Sequence, residues 1–260
     1  MEILSYLFFG ITISIVLLFI WSKRKRAWRK GAQEGLTETY SGILEQYVSF
    51  YRDLNDADQE RFLNEITIFL RDVHIEGVGT EVNELDRVLI ASSAVIPIFN
   101  FRGWRYKNLS NIVLYPDTFN SDFQFVGARR NTLGMVGEGF MNGQMILSKS
   151  ALHHGFSENS NGSNTAIHEF VHLIDKRDGS VDGIPELLLA RPYVIPWIKM
   201  MHAEMHRIKA GRSDIDPYAL TNEAEFLAVV SEYFFEKPTK FRDHHPELFD
   251  LLTKMFGKKP

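Results

Sequence analysis

The sequence has no cysteine among its 260 residues. This absence excludes disulfide bonds, thiolate nucleophiles and metal sites with cysteine ligands. It does not decide the compartment, because a protein without disulfides can function on either side of a membrane. Hydrophobic residues make up 45% of the chain and include 20 Phe, 9 Tyr and 4 Trp, so a sizeable core can form. The length predicts one large domain.

Acidic residues outnumber basic ones after the first 30 residues. Those residues carry six Lys or Arg and one Glu, a net charge of +5, whereas the whole chain has a net charge of −4. The remaining 230 residues therefore carry −9. Proteins that bind nucleic acid usually present a basic surface, and so the sequence predicts no nucleic-acid partner.

One hydrophobic run without any charge covers the 20 residues 3–22. A helix of that length rises about 30 Å, which matches the hydrocarbon core of a bilayer. A cleaved signal peptide is the alternative, but its basic residues precede the apolar run, whereas here they follow it. By the positive-inside rule, residues 1–30 are expected to form a single-pass N-terminal membrane anchor with a basic juxtamembrane stretch. Residues 31–260 are then expected to lie in the cytoplasm.

The pattern of the remaining chain predicts mostly helices. Apolar residues at helical spacing predict helices over about 55–73, 82–98, 164–177, 197–210, 222–235 and 246–256. Short apolar runs predict strands at 112–115 and 144–148, with glycine-rich polar sequence between them. Three prolines predict irregular chain over 184–198. The expected fold is α+β and helix-rich, with one small sheet.

A metal-binding pattern, His168-Glu169-Phe170-Val171-His172, lies in one of the predicted helices. Residues four apart are neighbours on one helix face, so both imidazoles can reach one zinc ion at about 2.0–2.1 Å. Glu169 lies about 100° further round the helix. There it can accept a proton from a water molecule that the metal activates, without itself binding the metal. The pattern therefore predicts a catalytic zinc site.

A catalytic zinc needs a third protein ligand and an open position. A helix that starts near Asn222 offers Glu225 in its first turn, Glu232 seven residues later on the same face, and Glu223, which points elsewhere. Spacing favours Glu225, whose alternative role is to complete a capping box with Asn222. Glu232 stays open as an alternative ligand.

Two further features lie close to these motifs. Asp175 follows His172 by one turn and could orient an imidazole N–H, although an exposed carboxylate at a helix end explains it equally well. His202 and His206 are also four residues apart, but their glutamate is at the third position and charged residues surround them. We interpret that pair as an exposed helix face.

Five segments in order resemble the Mlc titration factor A family of bacterial zinc peptidases. The two most specific are HEFVHLIDKRDGSVDGIP at 168–185 and YALTNEAEFLAVVSEYFF at 218–235. Upstream, LDRVLIASSAVIPIF, IVLYPDTF and GQMILS are similar to that family in order and spacing. The resemblance covers about residues 50–245 and implies a zincin-like metallopeptidase domain with a gluzincin-type site, related to the catalytic domain of anthrax lethal factor.

The resemblance also implies a role for individual residues. His168, His172 and Glu225 would bind one Zn²⁺ per chain, Glu169 would act as the general base, and Tyr218 would direct its phenol at the site. Such a phenol can stabilise the oxyanion that forms during peptide hydrolysis. The founding member of the family is soluble, so an anchored form would act on membrane or juxtamembrane substrates.

Two functions are compatible with these residues. The first is a zinc-dependent peptidase that acts on a peptide or protein substrate, with the aminopeptidase-like activity and regulatory role that the resemblance implies. The second is a zinc-containing binding module that docks a transcriptional regulator, as the founding member binds the Mlc repressor. Glu169 favours the enzyme, because a structural zinc site has no use for a carboxylate beside an open metal position. We also expect the strand at Gln144–Ser148 to be a sheet edge to which an extended substrate adds.

Overall fold

The computed structural model describes residues 37–120, 124, 132–137 and 142–257. The chain divides into two compact units, residues 1–42 and 43–260. Within the described ranges, no helix has the length and apolar character needed to cross a membrane. The predicted anchor over 3–22 and its basic stretch lie outside the described residues.

Helices dominate the described chain, as the sequence pattern predicts. They are 37–47 (α1), Ser49–Arg52 (α2), Asp56–Asp72 (α3), Glu84–Ile98 (α4), Lys149–Gly155 (α5), Thr165–Asp175 (α6), Arg191–Lys209 (α7), Glu223–Glu236 (α8), Pro238–His244 (α9) and Pro246–Met255 (α10). Short 3₁₀ turns lie at Glu158–Ser160, Lys176–Asp178 and Pro217–Leu220. The helix-rich α+β class is therefore confirmed for the described residues.

A small mixed sheet packs beside the helices. Its strands are His74–Gly77 (β1), Asn111–Tyr115 (β2), Gly134–Val136 (β3) and Gln144–Ser148 (β4), in the order β1-β2-β4-β3. β1, β2 and β4 run parallel, and β3 pairs antiparallel with β4. Our expectation that Gln144–Ser148 forms an edge is wrong, because β2 and β3 flank this strand on both sides. Its near-continuous apolar sequence is that of an interior strand.

The edge nearest the zinc-binding pattern is β3, which the sequence did not predict. In the ladder with β4, Ser148 N–H donates to Leu133 O at 2.8 Å and Gly137 N–H donates to Gln144 O at 2.9 Å. Peptide groups alternate in direction along an antiparallel strand. The N–H and C=O groups of Gly134 and Val136 therefore face away from β4, on the side where the described residues form no further strand.

Neighbouring elements pack against α6 and bury its apolar face. α6 packs against α8, α4 and β3, and its apolar stripe of Ile167, Phe170, Val171 and Ile174 is fully buried. The Phe170 ring meets Phe69 with 5.8 Å between centroids and Tyr106 with 5.1 Å. Because this face is locked in the core, the opposite faces of α6 present polar side chains in fixed positions.

The proline-rich segment differs from the prediction. Residues 184–198 were expected to be irregular, yet α7 begins at Arg191 and contains both Pro192 and Pro196. Pro192 is in the first turn, where its missing N–H needs no partner. Trp197 is fully buried and its indole N–H donates to Gly183 O at 2.7 Å, so tertiary packing fixes the start of this helix.

Candidate metal centre

The helix α6 is anchored at its N-terminus by the helix that faces it. Asn164 caps α6 by accepting a hydrogen bond from Ile167 N–H at 3.1 Å. Its own N–H donates to Glu232 Oε2 at 2.5 Å, and its amide donates to Glu236 Oε1 at 2.8 Å. These bonds fix α6 against α8 in both position and rotation.

This packing brings His168, His172 and Glu225 together. His168 Nε2 lies 2.9 Å from Glu225 Oε2 and 3.0 Å from His172 Nε2, and His172 Nε2 lies 3.5 Å from Glu225 Oε2. Asn222 caps α8 by accepting from Glu225 N–H at 2.9 Å. Only half of the anticipated capping box forms, because the Glu225 carboxylate turns to the histidines instead.

The three donor atoms fit a single zinc ion. Tetrahedral bonds of about 2.0–2.1 Å place two ligand atoms about 3.3 Å apart, close to the separations observed here. Two imidazoles and one carboxylate are also the donor types of catalytic zinc sites, which keep a fourth position open. In the described part of the chain this is the one group of three such donors that could hold a metal ion.

The charges in the site favour a cation. Burial alone would lower the pKa of His168, but hydrogen bonds to Glu225 and Glu232 outweigh it and raise the pKa to about 10. Burial raises the pKa of Glu225, and its hydrogen bonds to His168 and His172 overcome this and lower it to about 2. Both shifts show that the site stabilises positive charge between the carboxylate and the imidazoles, which is the charge that a metal ion would supply.

Glu232 orients His168 from the opposite side. Its Oε1 accepts from His168 Nδ1–H at 2.6 Å, and its Oε2 accepts from Ser163 Oγ–H at 3.1 Å. With the proton held on Nδ1, the Nε2 lone pair is directed at the metal position. The sequence left Glu232 open as a ligand; the structure places it against the far nitrogen of the ring, away from the converging donor atoms.

Glu169 is buried beside the three donors without joining them. Its side chain presses against β3, where a Cβ added to Gly134 would lie only 2.7 Å from both Cγ and Oε1 of Glu169. Burial raises the pKa of Glu169, although the charges of His168 and His172 oppose this change. The contact with Gly134 was missed in the sequence, because a glycine in a glycine-rich stretch carries no sign that a side chain needs the space.

Tyr218 reaches the edge of this group from the turn Pro217–Leu220. Asp216 Oδ1 accepts from Tyr218 N–H at 2.8 Å and fixes the start of the turn, which packs on α8. The Tyr218 ring centroid lies 6.0 Å from that of His168, and the side chain is 55% exposed. Burial and then the charge of Glu225 raise the pKa of Tyr218, so its hydroxyl keeps a proton to donate.

The other candidate residues lie elsewhere. Asp175 is buried, and its Oδ2 accepts from Gly183 N–H at 2.9 Å, so neither the imidazole partner nor the exposed helix end is correct. Glu223 is half exposed and lies 3.4 Å from His202 Nε2. His202 and His206 are exposed as expected, but Glu204 between them is buried against Ser213, with 2.6 Å between their oxygens.

Comparison with known proteins decides the family. The model of the family described as "Glucose-regulated metallo-peptidase M90" matches residues 19–257. The chain belongs to this family. Membership supports a metallopeptidase-type function acting on peptides or proteins, with a metal ion as cofactor.

The relatives agree with this assignment. A protein of Synechocystis sp. described as uncharacterised is 28% identical over 94% of each chain. Mlc titration factor A from Cronobacter sakazakii is 29% identical and covers 80% of this chain and 82% of its own. Mlc titration factor A from Escherichia fergusonii is 27% identical, with coverages of 82% and 84%. The resemblance inferred from the motifs is therefore confirmed.

Proposed function

We propose that this chain is a zinc-dependent peptidase of the M90 family. The observation that carries the proposal is the convergence of His168 Nε2, His172 Nε2 and Glu225 Oε2 within 4.8 Å of one another. A buried carboxylate that contributes no donor atom, Glu169, stands beside them. This combination suits an open catalytic site better than a closed structural one.

The roles of the residues follow from their positions. A bound zinc ion would supply a Lewis acid that polarises the scissile carbonyl and makes water more acidic. Glu169 accepts the proton of the attacking water and passes it to the departing amine. Tyr218 donates its hydroxyl hydrogen to the oxyanion that develops on the carbonyl oxygen. Glu232 keeps His168 oriented throughout.

The test is a metal titration coupled to an activity assay on the full-length chain. We expect about one zinc per chain, loss of peptide hydrolysis after chelation, and recovery on adding one equivalent of zinc. Chelation removes the charge that holds two imidazoles and a carboxylate together. A preparation that binds no zinc would falsify the proposal.

A regulatory binding role is the second candidate, and the name of several relatives favours it. Several relatives that cover about four fifths of this chain are named Mlc titration factor A, a name that points to a regulator as partner. The metal titration separates the two candidates. Stoichiometric zinc with no hydrolysis of any peptide in a broad panel would favour the binding module.

We further propose that residues 3–22 anchor the enzyme in a membrane, with the M90 domain on the cytoplasmic side. The support is the uncharged 20-residue run and the six basic residues after it. The full-length chain is expected to stay in the membrane pellet after alkaline carbonate washing of cells that express it. Its release into the supernatant would contradict the anchor, and protection from protease added to the cytoplasmic face would contradict the orientation.

A further inference from the structure

A cleft with three cationic side chains opens near the C-terminal end of α6. Its lining includes Lys107 from the loop before β2, Lys176 and Arg177 after α6, and Val136 and Leu173. The side chain of Lys107 is exposed, and those of Lys176 and Arg177 are partly buried. The body of the chain, residues 31–260, carries a net charge of −9, so this local excess of positive charge is unusual.

Two of these cations have no counterion in the described part of the chain. Lys107 forms no ion pair there, and the buried Nε of Arg177 has no hydrogen-bond partner. The nearest acids in sequence are bound to backbone groups instead. Asp175 accepts from Gly183 N–H, and Asp178 accepts from Ser180 and Glu186 N–H. Among the described residues, Lys107 and Arg177 therefore have no counterion that would compete with an anion from outside.

Compensation of the helix dipole explains only part of this charge. Lys and Arg commonly follow the last turn of a helix, where they stabilise its negative end. That role is available to Lys176 and Arg177. It does not apply to Lys107, which enters the cleft from a different segment, next to Trp104 and Tyr106.

Two elements, α6 and β3, each run from the metal centre formed by His168, His172 and Glu225 to the cleft. Leu173 follows Glu169 by four residues of α6, a rise of about 6 Å. Val136 follows Gly134, which contacts Glu169, by two residues of β3, a rise of about 6.6 Å. The edge of β3 that no described strand covers can pair with an extended peptide. Such a peptide, with its scissile bond beside Glu169, reaches the cleft about two residues further along.

We propose that this cleft binds a carboxylate of the substrate peptide, so that the enzyme selects substrates with an acidic side chain or a free C-terminus near the scissile bond. The inference rests on the proposed peptidase function. The cations of the cleft would oppose the repulsion between such a carboxylate and the acidic remainder of the domain.

The experiment compares matched hexapeptides on the full-length, zinc-loaded chain. Each alanine-based peptide carries Asp or Asn at one of six positions, or a free or amidated C-terminus, so that charge changes while size stays similar. We expect one position or the C-terminus to show about fivefold higher kcat/KM for the charged form. The ratio should fall towards one in Lys107→Gln and in 0.5 M salt, because exposed charges are screened. Arg102→Gln, an exposed cation outside the cleft lining, should keep the ratio.

Binding of the same fluorescein-labelled peptides, read by anisotropy, separates the two proposals. If no peptide is hydrolysed but the charged form binds about fivefold more tightly in a Lys107-dependent manner, the peptidase proposal fails and the anion site stands. If peptides are hydrolysed with equal rates for every Asp/Asn and acid/amide pair, the site is overturned and the peptidase proposal stands. A preference that Lys107→Gln and Arg177→Gln both leave unchanged also overturns the site.

Discussion

Replacing Glu169 by Gln is expected to lower kcat for peptide hydrolysis by a factor of about 100 to 10,000, while the chain still binds about one zinc. Glutamine has nearly the same shape as glutamate but cannot accept the proton of the attacking water. None of the three converging donor atoms belongs to Glu169, so its loss leaves the metal ligands in place. The measurements are kcat at saturating peptide and zinc content after gel filtration.

Glu223→Gln is the matched control for this substitution. Glu223 lies in the first turn of α8, two residues before Glu225, but it is half exposed and its carboxylate faces His202. Its replacement should change kcat by less than about twofold, as expected of a surface substitution. Hydrolysis by Glu169→Gln at the rate of the Glu223→Gln protein would remove Glu169 from the mechanism.

The positions of His168 and His172 relative to each other could be predicted from the sequence, because both lie on one helix. The four-residue spacing of His168 and His172 places both rings on one face whatever the rest of the fold does. The apolar stripe of α6 also indicates which face is buried. These features need only the helical period, and the structure brings both imidazoles to the same point.

Spacing favours Glu225 over Glu232 as the third ligand, but it could not exclude Glu232. The two carboxylates lie on one face of α8 and are separated by about 10.5 Å of helix rise, so they cannot both bind one ion. In the structure the imidazole of His168 lies between them, with Nε2 towards Glu225 and Nδ1 towards Glu232. Which carboxylate meets Nε2 depends on where along α8 the helix α6 packs, and this position is set by tertiary packing.

The sheet edge was missed for a different reason. β3 has only three residues and one of them is Gly134, so neither its length nor its composition indicates a strand. We predicted β4 as the edge strand because its apolar sequence indicates a strand more strongly. A continuous apolar sequence, however, is typical of a strand with neighbours on both sides. Strand order depends on pairing between distant segments, which a single sequence does not reveal.

A substitution in β3 is expected to cause the second large loss of activity, because Gly134 contacts Glu169. We expect Gly134→Ala to lower kcat by about 100-fold, because displacement of a catalytic group by about 1 Å can cost that much. The new Cβ would lie 2.7 Å from Cγ and Oε1 of Glu169, so the flexible carboxylate must move away. The backbone of Gly134 is not in the left-handed region, and alanine is therefore compatible with the strand. The free energy of unfolding should change by less than about 1 kcal/mol, and zinc binding should persist.

The steric cause can be checked by shortening the side chain that moves. Glu169→Asp alone should lower kcat, because its carboxylate is withdrawn by one methylene group. In the Gly134→Ala background the same change relieves the collision with the new Cβ. The kcat of the double variant should therefore be no lower than that of either single variant, whereas independent effects would multiply the two losses in kcat. Independent, multiplicative losses in kcat would contradict direct contact between the two residues. A Gly134→Ala protein with wild-type kcat would show that β3 does not hold the position of Glu169.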